Sequence, residues 1–166
     1  MMQKKVQIIS DGSLDLSQEL TKEKDIEVVP FYVSFDSETY QKEMVEVGVR
    51  EFYQEMVDHP TVFPKTSMPS VHDYYEVFEK HAKEQLPVIC ICITRKFSGS
   101  LQSATTAKDM ILEEYPDAQI TVIDSTVNTV LQGLYVLEAC RLRDMGLEYQ
   151  QIVDALLPIR ETGRIF

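Results

Sequence analysis

Residues 87–111 read PVICICITRKFSGSLQSATTAKDMI, and the change of period inside this stretch sets the fold class. Residues 88–93 form an apolar run of strand length, which reads as a buried strand. From Gly99 onward the period becomes helical, with Leu101, Ala104, Ala107 and Ile111 on one face. Ser98 and Gly99 stand at the junction of the two. A hydroxyl there has three conceivable roles: attack, anion binding, or capping the helix.

The same alternation extends over the chain. Apolar runs at 6–9, 26–35 and 120–123 read as further strands. A helix from about Ser70 places Val71, Tyr74, Tyr75, Phe78 and Ala82 on one face. Two more helices follow, near 130–145 and 149–159, with Gly146 between them. Strands alternating with helices predict an α/β fold, a mostly parallel sheet flanked by helices on both faces. At 166 residues and 44% hydrophobic composition, the chain is long enough for one domain with its own core. The final ETGRIF reads as a turn opening into a strand that stops at Phe166, so the expectation is an incomplete piece of a larger protein.

Sixteen Lys plus Arg against 27 Asp plus Glu give a net charge of −11, which argues against nucleic acid or an anionic membrane surface as partner. No apolar run approaches the roughly 18 residues of a membrane span and the N-terminus has no signal-peptide pattern, so a cytoplasmic location is expected. Cys90, Cys92 and Cys140 lie in apolar patterns and suit buried packing in a reducing compartment. His59, His72 and His81 show no ligand spacing with them, so neither a metal nor another cofactor is expected.

Four hydroxyl-rich segments fall at predicted strand ends: SDGS (10–13), KTSMPS (65–70), RKFSGS (95–100) and DSTVNT (124–129). In an open parallel sheet such loops converge in one crevice, where helix N-termini favour an anion. Capping accounts for Ser70, which forms a capping-box pattern with Asp73, and less strongly for Ser13 and Ser17. Capping and binding stand level at Ser98, because Gly99 and Ser100 are adequate caps themselves. Thr66 and Ser67 precede Pro69 outside the helix, where capping does not explain them. Asp11 and Asp124 end strands, and either accept backbone N–H groups in the following turns or orient hydroxyls or an Mg-nucleotide. Ser98 lacks a histidine base in these loops, and no phosphate loop is present, which weighs against hydrolase chemistry.

Taken in order, IISDGSLDL, KTSMPS, ITRKFSGSLQSA and VIDS resemble the DegV family of bacterial fatty-acid-binding proteins. The resemblance implies an α/β N-terminal domain over 1–166, a second domain not contained in this chain, and a long-chain fatty acid held between the two. It implies a carrier without catalytic residues that presents the acid to a fatty acid kinase. Carried over by position, Thr66 and Ser98 hold the carboxylate, with Ser10, Asp11, Ser13, Ser67, Gly99, Ser100, Asp124 and Ser125 in support. This chain has S-G-S where the family usually has S-G-T, and Asn128 and Thr129 where the family favours a glycine-rich S-x-G-x-G. The competing reading is a small-molecule transferase or kinase-like enzyme that uses the same loops for a phosphorylated metabolite. Burying a methylene is worth about 0.8 kcal/mol, so a long tail supplies affinity while a hydroxyl orients the acid.

Overall fold

A computed structural model describes residues 6–160 and 162–163. Its centre is a four-stranded parallel sheet of β1 (Gln7–Asp11), β2 (Ile26–Val29), β6 (Val88–Cys92) and β7 (Ile120–Asp124), in the order β2-β1-β6-β7. The register aligns Ser10 with Val28 on one side and with Ile91 on the other. Alternation along PVICICIT divides the core. Ile89 and Ile91 join Ile8, Ile26 and Ile123 on the face covered by α5 (Thr129–Asp144) and α6 (Tyr149–Ile159). Cys90 and Cys92 join Ile9 and Val29 on the opposite face, under α3 (Val71–Lys83) and α4 (Ser100–Glu114). All three cysteines are buried and unbridged.

The expected single run at 26–35 is two strands in two sheets. Pro30 cannot donate to a ladder, so pairing with β1 ends at Val29 opposite Asp11. The chain resumes as β3 (Tyr32–Ser34), the centre of a small antiparallel sheet between β4 (Gln41–Lys42) and β5 (Lys65–Ser67). KTSMPS therefore does not follow a strand of the parallel sheet as expected. Its first three residues are an edge strand of the second sheet, with Thr66 opposite Val33. The patterning also left α1 (Gln18–Glu23) and α2 (Val49–Asp58) unread. The helices expected at 130–145 and 149–159 form within a residue or two of those bounds. The strand expected from ETGRIF falls on Arg164–Phe166, outside the described residues.

Asp73 fastens the small sheet to the larger layer. Its carboxylate accepts from Tyr32 Oη (2.8 Å), from the backbone N of Ser70 (2.8 Å) and from Ser70 Oγ (2.5 Å). Lys42 Nζ pairs with it at 3.0 Å. With Ser70 Oγ accepting from the Asp73 N–H (3.1 Å), the capping box read from the sequence is complete. One residue thus caps α3 and orients both β3 and β4 beside it. Burial alone would raise the pKa of Asp73, but the bonds from Ser70, Lys42 and Tyr32 outweigh it and hold the group at about 2.

Candidate anion-binding site at the strand ends

From β1 the chain crosses to β2 on one side, whereas β6 and β7 extend the sheet on the other. The gap between the carboxyl ends of β1 and β6 is therefore a topological switch point, the place where ligands bind in open α/β sheets. Asp11 ends β1 and Ser98 follows β6, so SDGS and RKFSGS meet there.

Asp11 is fully buried and holds the switch point together. Its Oδ2 accepts from the backbone N of Ile93 (2.9 Å) and from Ser100 Oγ (2.7 Å). Its Oδ1 accepts from Gln132 Nε2 (2.8 Å) and from the backbone N of Ser13 (3.3 Å). Burial raises its pKa, and these four donors partly offset the rise. Ser100 Oγ also pairs with Tyr74 Oη at 2.6 Å, which extends the network into the core. Gln132 carries a second bond from Nε2 to Ser10 Oγ (3.1 Å), and Ser10 in turn donates to the Ile91 carbonyl (2.9 Å). Gln132 was missed in the sequence because it sits in the NTVLQG segment that departs from the glycine-rich pattern. A glutamine on the otherwise apolar sheet-facing side of this helix was the available signal.

Hydrogen bonding sorts the candidate residues into two groups. Ser10, Asp11 and Ser100 are buried and engaged in the network. Ser125 is buried too, with its Oγ bonded to Val127 O (3.0 Å) and Val127 N (3.3 Å). Asp124 accepts from Thr126 N (2.9 Å) and faces Arg95 Nε at 3.7 Å. These groups shape loops. The other group is less buried. Ser98 is half-buried, and its Oγ accepts from the Ser100 N–H (3.1 Å), leaving its own proton to donate. Thr66 and Ser67 are exposed on β5, and Ser13 is half-buried in a 3₁₀ turn at Gly12–Leu14.

Gly99 connects the two hydroxyl loops. A Cβ at this position would come within 2.5 Å of Met68 Sδ, so Met68 packs directly on the glycine. Because Met68 follows Thr66 and Ser67, this contact brings the end of β5 against the loop that carries Ser98. The four segments therefore converge on one end of the molecule: three through the parallel sheet, and KTSMPS through the Asp73 clasp and the Met68 contact.

The site belongs to an open α/β protein with a hydroxyl-lined switch point. The DegV family model, described as "Uncharacterised protein, DegV family", matches residues 5–166, and the chain belongs to that family. A DegV domain-containing protein of Halalkalibacterium halodurans is 35% identical over 164 residues, which are 98% of this chain and 56% of the relative. One from Clostridium acetobutylicum is 33% identical over 153 residues, 92% of this chain and 53% of the relative. Among solved structures, a stearic acid-binding protein of Eubacterium ventriosum is 46% identical, with a TM-score of 0.87 over 91% of this chain and 52% of that one. A fatty-acid-binding DegV family protein of Thermus thermophilus is 29% identical, with a TM-score of 0.78 over 95% of this chain and 54% of that one. The chain thus spans about half the length of the relatives it matches. No helix among the described residues is long and apolar enough to cross a membrane.

Proposed function

We propose that this chain forms the carboxylate-binding part of a long-chain fatty acid carrier, with Thr66 and Ser98 donating to the acid. The observation that carries the reading is the 46% identity over 91% of the chain to a stearic acid-binding protein. The geometry supports it, because the Met68–Gly99 contact puts both hydroxyl loops at one crevice while Asp11 is withdrawn into the core. A buried carboxylate saturated by four donors repels an incoming anion less than a free one would. The net charge of −11 does not oppose this, since charges beyond a Debye length of about 8 Å are largely screened.

The carrier would hold the acid without transforming it, in a second domain's company, inside the cytoplasm, and would present the exposed carboxylate to a fatty acid kinase. Against a transferase or kinase-like activity stands Ser98 itself, whose Oγ is bonded to the Ser100 N–H rather than to a base. Titration calorimetry with stearate tests the assignment. Thr66→Ala and Ser98→Ala should each weaken binding by roughly tenfold to a hundredfold, about 1 to 3 kcal/mol. Unchanged affinity in both folded variants would remove these residues from the site.

A further inference from the structure

Helix α2 has an apolar face that the rest of the described chain does not cover. Val49, Phe52, Tyr53, Met56 and Val57 recur at the spacing of one helical stripe, yet no residue of the helix is buried. Only Phe52 packs well, its ring 5.3 Å from that of Phe35. Tyr53 is 61% and Val57 71% exposed. Val49, Phe52 and Tyr53 of the stripe line a groove of about 750 Å³ together with Leu16, Val33 and Val47. A helix that buries nothing has no reason of its own to carry an apolar stripe, because its stability comes from packing that face.

The charge around the groove says what covers it. Residues 36–58 hold seven carboxylates and two cations, Lys42 and Arg50. Lys42 is already committed to Asp73. Within the groove, Glu43 lies against Gly12 and accepts from the Phe31 N–H (3.0 Å). Its pKa is raised, first by burial and then by the nearby Asp11 and Asp15 charges. A groove lined by apolar side chains and by the carboxylates of Asp15, Glu19 and Glu43 disfavours an anionic lipid and a second copy of the same acidic surface, and complements lysine or arginine beside apolar side chains.

We infer that the α2 groove docks a basic amphipathic helix of a partner protein, apolar face inward and cationic flank on the Asp15 and Glu19 side of the groove. The inference is independent of the fatty-acid reading, since none of these residues belongs to the Thr66 and Ser98 site. A fluorescein-labelled amphipathic peptide of leucine and lysine, titrated by anisotropy against the full chain, tests it, with a leucine–glutamate peptide as comparison. The basic peptide should bind and the acidic one should not. The Tyr53→Ser, Val57→Ser double variant should bind the basic peptide at least about tenfold more weakly, with unchanged helicity and stearate affinity. Asp15→Asn with Glu19→Gln should flatten the salt dependence. Equal affinity of the serine variant would overturn the inference by showing mere charge attraction. So would concentration-dependent dimerisation abolished by that variant, which would assign the face to a second copy, or loss of stearate binding, which would assign it to the fatty acid.

Discussion

Asp73 shows how much one side chain contributes when its charge is held by three partners. Its folded pKa of about 2 lies below the ordinary 3.8, so its stabilisation is present at neutral pH and is lost as pH falls through about 4 to 2. Unfolding by urea should find Asp73→Asn about 2 kcal/mol less stable than the natural chain at pH 7, with the gap closing toward pH 2. A gap that persists at pH 2 would mean that the hydrogen bonds, not the charge, carry the effect. Thr129 is the opposite case. It sits at φ 52°, and Thr126 at 63°, in the left-handed region that β-branched residues avoid. These strained threonines lie in the segment where the family favours glycines. Thr126 is compensated by a bond from its Oγ to Arg160 O (2.9 Å). No side-chain bond of Thr129 is found among the described residues, so Thr129→Gly should raise stability by about 1 kcal/mol, measured as a higher denaturation midpoint.

Between elements, α5 packs closely on the turn after β1. A Cβ on Gly133 would overlap the Leu14 backbone carbonyl and come within 2.8 Å of Leu16 Cδ2. Alanine gains about 1 kcal/mol of helix propensity, but overpacking against backbone costs typically 1 to 3 kcal/mol. The clash wins because the turn cannot retreat without dragging Asp11, whose four bonds fix the switch point. Gly133→Ala should therefore lower the melting temperature, and should weaken stearate binding more than its stability loss alone explains. Elements with one clear period were legible: the helices of residues 71–83 and 100–114, and the strands of the parallel sheet. The β3 and β5 strands were not, because each is three residues long and is stabilised by pairing that no local pattern announces. Helix α2 was legible in principle from Val49, Tyr53, Met56 and Val57, but a stripe that meets no core gives no reason to expect where it lies.

At the level of the fold, a fatty acid tail requires walls, since only apolar surface removed from water contributes to affinity. The chain spans about half of its relatives, and its hydroxyl loops gather at one end of the parallel sheet. Fluorescent fatty acid titrations should find this 166-residue chain binding at least about a hundredfold more weakly than the longer Eubacterium ventriosum relative, the equivalent of about 2.7 kcal/mol. Equal affinities would mean that these residues enclose the tail unaided.

The alternation of the parallel strands with their covering helices, the buried strand of PVICICIT, the capping box at Ser70 and the set of hydroxyl loops were all determined by the sequence, because each rests on neighbours a few residues apart. Which hydroxyls remain available was decided only by the tertiary structure. Ser98 and Ser100 are two residues apart and chemically identical. One is half-buried and keeps its proton free to donate, and the other is consumed by Asp11 and Tyr74, which lie 89 and 26 residues away. Likewise β5 lies beside the Ser98 loop only because Pro30 diverts the chain into a second sheet and Met68 packs on the open face of Gly99. Long-range pairing of buried polar groups depends on geometry that the whole fold must first create, which is why the local pattern could propose these residues but could not sort them.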